Sequence, residues 1–153
     1  MKKLGTAAIG MILVATVCGG GARASAAATQ SYRLATSAVG RDGQAVASGS
    51  IQFLDSRTVR IRATVADRCG RGSGDGEGAY LWLTIVYTNG AVDDHLSVDW
   101  DNNGCDNGNR GLRTLTFRPG VRIKHVRLRL DEAAGPSHPS ESVFTTWRDN
   151  PYT

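Results

Sequence analysis

The stretch that decides the fold of this chain is Thr58-Val59-Arg60-Ile61-Arg62-Ala63-Thr64-Val65-Ala66. Apolar residues occupy every second position, and threonine or arginine stands between them, which is the two-residue period of a strand with one buried face. No part of the chain beyond residue 26 shows the 3.6-residue apolar period of an amphipathic helix. We therefore predict an all-β protein.

Seven other segments have strand character and are separated by turn residues: 29–39, 45–54, 79–87, 92–100, 112–118, 121–130 and 143–147. Asn89-Gly90 and Pro119-Gly120 predict hairpins between the segments that they join. Segment 79–87 is apolar at both parities, which indicates a central strand covered on both sides. Seven or eight strands in one domain favour an antiparallel sandwich of immunoglobulin-like type, with a small β-barrel as the alternative.

Two finer expectations concern side-chain direction. The apolar parity of segment 121–130 shifts between Ile123 and Val126, so we expect a β-bulge near Lys124 and His125. We expect Trp82 and Trp100 in the core.

A carbohydrate-binding surface would need two or three exposed aromatic residues in line, for which the candidates are Trp147, Tyr152 and Tyr80.

The N-terminal residues predict export. Lys2 and Lys3 precede an apolar stretch over residues 4–17, and Ala24-Ser25-Ala26 follows, which is the order of a secretory signal peptide. Its apolar part is shorter than the roughly 20 residues of a membrane-spanning helix. We predict a cleavable signal over residues 1–26, cut after Ala26, and a secreted, extracellular domain over 27–153 without a membrane partner.

The charge of the exported part is close to neutral. Of the 18 lysines and arginines, Lys2, Lys3 and Arg23 lie in the signal, which leaves 15 against 14 acidic residues. Basic residues on two segments could form a basic face if those strands were neighbours: Arg60, Arg62, Arg122, Lys124, Arg127 and Arg129. Without interleaved aromatic residues to stack on bases, a solvated face is favoured and no nucleic-acid partner is expected. An acidic polymer or protein stays an alternative.

Two cysteines remain after the signal, which takes Cys18 with it. Cys69 and Cys105 lie in glycine-rich polar segments, and an isolated pair in an oxidising compartment predicts one structural disulfide between two loops.

A calcium loop is the best metal candidate. Asp99, Asp101 and Asn103, followed by Gly104, fit the first half of an EF-hand loop, because Ca²⁺ takes oxygen ligands at alternate positions before a glycine. The twelfth position, where a glutamate would close the shell, is Arg110. The alternative is a polar turn tied by the disulfide, with no cofactor.

No catalytic residues are predicted. Asp93, Asp94 and His95 form the densest titratable group, but neighbours in a strand point to opposite faces, so we expect His95 to share a face with Asp93 rather than with Asp94. No nucleophile motif of the G-x-S-x-G type and no H-E-x-x-H metal motif occurs.

The closing segment Thr146-Trp147-Arg148-Asp149-Asn150-Pro151-Tyr152, with the signal, the single predicted disulfide and the arginine-rich strand 126–130, resembles small secreted β-sandwich proteins of actinobacteria whose function is unassigned. Some of these look like adaptor subunits of secreted toxin particles. The resemblance implies an interaction protein with no activity of its own.

We therefore expect a secreted, non-enzymatic protein-interaction module with another extracellular protein as its partner. One hypothesis is that residues 27–39 form a mobile arm that pairs with the partner's sheet edge. The alternatives are a protease-inhibitor-like enzyme inhibitor, and a small extracellular hydrolase or calcium-binding module.

Overall fold

A computed structural model of the chain describes residues 29–37, 43–68, 77–102, 111–134 and 139–153. The described residues form nine strands: β1 (Gln30–Ala35), β2 (Gln44–Asp55), β3 (Thr58–Arg68), β4 (Gly78–Tyr87), β5 (Val92–Asp101), β6 (Arg113–Phe117), β7 (Ile123–Ala133), β8 (Pro139–Phe144) and β9 (Arg148–Asp149). None of these residues is helical, so the prediction of an all-β fold is confirmed. Among them no helix could cross a bilayer. The predicted signal peptide lies outside the described residues.

The strands form two antiparallel sheets that do not close into a barrel. The four-stranded sheet has the order β1-β2-β3-β6; the five-stranded sheet has the order β5-β4-β7-β8, with β9 also paired to β7. With β6 beside β3 and β7 beside β4, the chain crosses between sheets as in immunoglobulin-like sandwiches, and β1 is an additional edge strand. The predicted sandwich is confirmed.

The predicted hairpin at Pro119-Gly120 is wrong, because β6 and β7 belong to different sheets. β6 instead pairs with β3, where Phe117 lies opposite Val59 and Leu115 opposite Ile61. The side chains of Leu115 and Phe117 both pack against the core. These apolar cross-strand pairs outweigh the local turn signal.

Strand β1 contradicts the mobile-arm hypothesis over residues 30–35. It pairs with β2 along its whole length, and Tyr32 and Leu34 are buried in the core. The Tyr32 hydroxyl reaches over Gly49 and donates a hydrogen bond to the Arg62 carbonyl oxygen (3.1 Å). A Cβ at Gly49 would lie 1.8 Å from that oxygen, so a glycine is required there.

The core lies between the sheets, and β4 is a central strand as predicted, although among the described residues a second sheet covers only one of its two sides. Ala79, Leu81, Leu83, Ile85 and Tyr87 point inward from β4, which lies between β5 and β7. The predicted β-bulge is confirmed, because the β4–β7 register passes from Val86 opposite His125 to Tyr87 opposite Ile123 and leaves Lys124 unpaired. The bulge lets Ile123 and Val126 both face the core.

Strand β5 departs from the predicted alternation at two places, one at Val98 and the other at Asp94 and His95. Val98 has no partner between the pairs Trp82–Ser97 and Leu81–Asp99, so Val98 and Asp99 are both buried and Trp100 lies on the opposite face. Trp82 and Trp100 are only partly buried and are not members of the core, so their predicted core positions are wrong.

An ion pair joins the free edges of the two sheets. Arg113 of β6 donates through Nη1 to Oδ1 of Asp99 in β5 (3.0 Å), and the Asp99 side chain is fully buried. Asp99 Oδ2 has no hydrogen-bond partner among the described residues. Asp99 therefore depends on Arg113 for its charge compensation.

We expect Arg113→Ala to lower the free energy of unfolding by about 3 kcal/mol, because it leaves a buried carboxylate unpaired. Urea unfolding measures this loss. Adding Asp99→Asn should restore part of it, since the buried charge is then gone. As a control, Arg33→Ala, at an exposed position, should change stability by less than about 0.5 kcal/mol. Equal stability of Arg113→Ala and the wild type would contradict this role of the pair.

Candidate binding face on the five-stranded sheet

The side of the five-stranded sheet that points away from the core carries aromatic and arginine side chains; we call it the outer face. Its residues alternate with the core positions of β4 and β7 and come from all strands of the sheet. They include Tyr80, Trp82, Thr84, Asp94, His95, Trp100, His125, Arg127, Arg129, Asp131, Ser142, Phe144 and Asp149. Trp147 joins them from the segment between β8 and β9.

Two exposed aromatic side chains of this face lie around Arg127, and we call the group the aromatic–arginine cluster: His125, Arg127, Phe144 and Trp147. The guanidinium carbon of Arg127 lies 4.5 Å from the ring centroid of Phe144 and 4.6 Å from that of Trp147. His125 packs on Trp147 at 4.7 Å between ring centroids. Phe144 remains 46% exposed and Trp147 42% exposed. Two large aromatic residues are thus presented to solvent side by side.

Arg127 carries a charge that is not neutralised by a described carboxylate. Its neighbour Arg129 donates two hydrogen bonds to Oδ2 of buried Asp131 (3.0 and 2.7 Å), and Asp131 also accepts one from Ser142. Arg127 makes no such ion pair within the described part of the chain, and its Nε there has no acceptor. The cluster therefore offers a cation held between two aromatic rings.

Thr145 positions the two exposed rings. It is buried, its N–H donates to the Leu128 carbonyl oxygen (3.0 Å), and its hydroxyl accepts from the Leu128 N–H (3.0 Å). Since Thr145 is tied to β7 by both bonds, its neighbours Phe144 and Trp147 lie against the outward side chain of Arg127.

Asn150 fixes the other end of this segment. It is buried, its N–H donates to the Lys124 carbonyl oxygen (2.9 Å), and its Nδ2 donates to the carbonyl oxygens of Ile123 (3.0 Å) and Asp55 (3.2 Å). Residues 145–150 are therefore hydrogen-bonded to β7 at both ends.

A second group of side chains lies on the β4–β5 side of the outer face. The Trp82 ring is parallel to Tyr80 at 6.4 Å and meets His95 edge-on at 6.0 Å. Asp94 and His95 form a bulge opposite Thr84, and His95 has a positive φ of 57°, which is uncommon outside glycine. The bulge turns His95 toward Trp82.

This bulge contradicts the expected pairing of His95 with Asp93. His95 Nδ1 lies 3.6 Å from Asp94 Oδ2, whereas Asp93 accepts a hydrogen bond from the Tyr87 hydroxyl. The Thr84 hydroxyl donates to Asp94 Oδ1 (2.6 Å), and this bond is the largest of the effects that lower the pKa of Asp94. Asp94 is therefore ionised beside an exposed histidine at neutral pH.

The basic face that was considered as an alternative does not form, because its arginines come from strands in different sheets. Arg60 and Arg62 belong to β3, and Arg127 and Arg129 to β7, on the other side of the core. The alternation of apolar and polar residues indicates which side chains of a strand point outward. It does not indicate which strands are neighbours.

The predicted disulfide and calcium loop lie largely outside the described residues, which exclude Cys69, Asn103, Cys105 and Arg110. The strands that lead into both loops do meet: Asp67 N–H donates to Asp101 Oδ2 (3.1 Å). Of the calcium candidates, Asp99 is paired with Arg113 and Asp101 is buried. Among the described residues no group of three or more His, Cys, Asp or Glu could hold a metal ion.

Comparison of the chain with protein-family models, with curated proteins and with solved structures finds no match. Of the three aromatic residues considered for a carbohydrate surface, Tyr80 and Trp147 lie on the outer face, whereas Tyr152 packs against the core. Sequence reasoning missed Phe144 and Arg127 as partners of Trp147. The sequence carries no clear signal for this cluster, because Thr145 and Thr146 separate Phe144 from Trp147 and only the structure shows that Thr145 is buried.

We expect Thr145→Val to lower the free energy of unfolding by about 1–3 kcal/mol, because the buried Leu128 N–H loses its acceptor. Thr145→Ser, the matched control, keeps the hydroxyl and loses only a methyl group, worth about 0.8 kcal/mol. Amide hydrogen exchange provides the specific readout: Leu128 should exchange faster in the valine variant and not in the serine variant. Unchanged Leu128 exchange in Thr145→Val would contradict the assigned hydrogen bond.

Proposed function

We propose that this protein is a secreted, non-enzymatic interaction module that binds another extracellular protein through its outer face. The observation that carries the proposal is the aromatic–arginine cluster, in which Phe144 and Trp147 stay nearly half exposed on either side of Arg127. Burying two such rings against a partner would remove a large apolar surface area from contact with water.

The composition and rigidity of the cluster favour a protein partner. Tryptophan and arginine are enriched among the residues that dominate protein–protein binding energies, and such residues are surrounded by a polar rim. Here the rim contains Asp149, whose Oδ1 lies 3.6 Å from Nδ1 of His125 in the cluster. The bonds of Thr145 and Asn150 hold the segment in place before binding, so little ordering entropy is lost on association.

A carbohydrate surface fits the same residues less well. Sugars stack on open aromatic faces, whereas the Arg127 guanidinium lies over both Phe144 and Trp147. The remaining aromatic pair, Tyr80 and Trp82, is mostly buried. The enzyme inhibitor, the hydrolase and the calcium-binding module stay predictions, since no observation on the described residues favours one of them.

We expect the double variant Phe144→Ala/Trp147→Ala to lose the partner protein that the wild type retains from culture supernatant of the producing cells. The immobilised exported domain is the bait, and quantitative mass spectrometry identifies what it holds. The reason is that truncating aromatic residues at the centre of an interface costs about 2 kcal/mol or more, which is roughly thirtyfold in affinity.

The matched control is Leu112→Ala/Val121→Ala, which truncates two other exposed apolar residues outside the outer face. It should retain the partner as the wild type does. Equal recovery by the wild type and by Phe144→Ala/Trp147→Ala would overturn the proposed surface. Failure of the wild type to hold any protein, with glycans retained instead, would overturn the protein class of the partner.

A further inference from the structure

One end of the sandwich contains an open cleft of about 530 Å³ between two connections of the chain. The β2–β3 turn forms one wall and the β6–β7 connection forms the other. The lining residues are Asp55, Ser56, Arg57, Thr58, Arg118, Pro119 and Gly120. The cleft is thus a polar site with two arginines, separate from the aromatic–arginine cluster.

The first wall is held rigidly by hydrogen bonds. Asp55 Oδ1 accepts from the Arg57 N–H (2.6 Å) and Asp55 Oδ2 from the Thr58 hydroxyl (2.9 Å). These two bonds lower the pKa of Asp55, with a smaller contribution from Arg118. The Ser56 carbonyl oxygen accepts from the Ile123 N–H (2.8 Å), which attaches the turn to β7. The backbone that carries Arg57 is therefore fixed before any ligand arrives.

The two cations of this cleft outnumber its one carboxylate. Arg57 and Arg118 are exposed and make no ion pair with any residue that the structure describes. Asp55 is the one acidic residue in the lining, and both of its oxygens already accept hydrogen bonds within the turn. The exposed residues Arg122 and Lys124 flank Ile123, so their charges add to the same end of the sandwich.

At the opposite end of the sandwich, the described residues include the exposed Arg68 and several carboxylates. The strand ends there carry carboxylates among the described residues: Asp67, Glu77, Asp101, Glu132 and Glu141. Among the described residues, the end with the cleft carries Arg57, Arg118, Arg122 and Lys124 against the carboxylates of Asp55 and Asp149.

We propose that this cleft binds a phosphate or sulfate group carried on an extracellular polymer without aromatic rings. Two exposed guanidinium groups offer planar pairs of N–H donors that match the oxygens of such oxyanions. Arg122 and Lys124 extend the positive surface for neighbouring anionic groups along a chain. The lining contains no aromatic residue on which a nucleic-acid base could stack, which favours a phosphorylated or sulfated polyol or polysaccharide.

Calorimetric titration of the exported domain with linear polyphosphate, and separately with dextran sulfate, tests the proposal. We expect Arg57→Gln/Arg118→Gln to weaken binding of the preferred polyanion by about tenfold or more, since charge-assisted hydrogen bonds are lost. The charge-matched control Arg33→Gln/Arg68→Gln changes two exposed arginines away from the cleft. It should weaken binding by less than about threefold, because distant charges are screened by salt.

The comparison of the two polymers identifies whether phosphate or sulfate is preferred. Equal weakening by both double variants would overturn the site, because it would show attraction to net charge alone. No binding of either polymer by the wild type would overturn it as well. Tighter binding of single-stranded DNA than of polyphosphate of equal charge would overturn the assignment to a polymer without rings. Phe144→Ala/Trp147→Ala should retain polyanion binding, which separates this site from the proposed protein surface.

Discussion

The structure depends on how β7 divides its side chains between the core and the outer face. Ile123, Val126 and Leu128 must all be buried between the sheets, although Ile123 and Val126 differ in parity. The unpaired Lys124 reconciles them within one strand. β7 pairs with β4, β8 and β9. Its register therefore determines which side chains of those three strands lie on the outer face.

The same strand explains why the closing segment matters for the proposed function. A segment between strands gains order when its backbone groups find partners, and here Leu128 and Lys124 of β7 supply them to Thr145 and Asn150. Exposed aromatic rings on a mobile tail would lose entropy on binding. On this sheet they are already arranged around Arg127.

Local patterns predicted much of the fold. The alternation of 58–66, the turn at Asn89-Gly90 and the parity shift at Lys124 each reflect a nearby backbone requirement. The partner of β6 and the direction of Trp100 could not be predicted, because long-range strand pairing and an unpaired Val98 decide them. The aromatic–arginine cluster was also out of reach, since its members become neighbours only when β8 and β9 pair with β7.

Amide hydrogen exchange of residues 27–153, with and without a protein recovered from culture supernatant in the binding experiment, tests the proposed binding surface most directly. If the outer face is the binding surface, protection on binding is concentrated in β7, β8 and residues 145–150, where the aromatic–arginine cluster lies. Protection confined to the four-stranded sheet, or to the turns around Arg57 and Arg118, would contradict the claim.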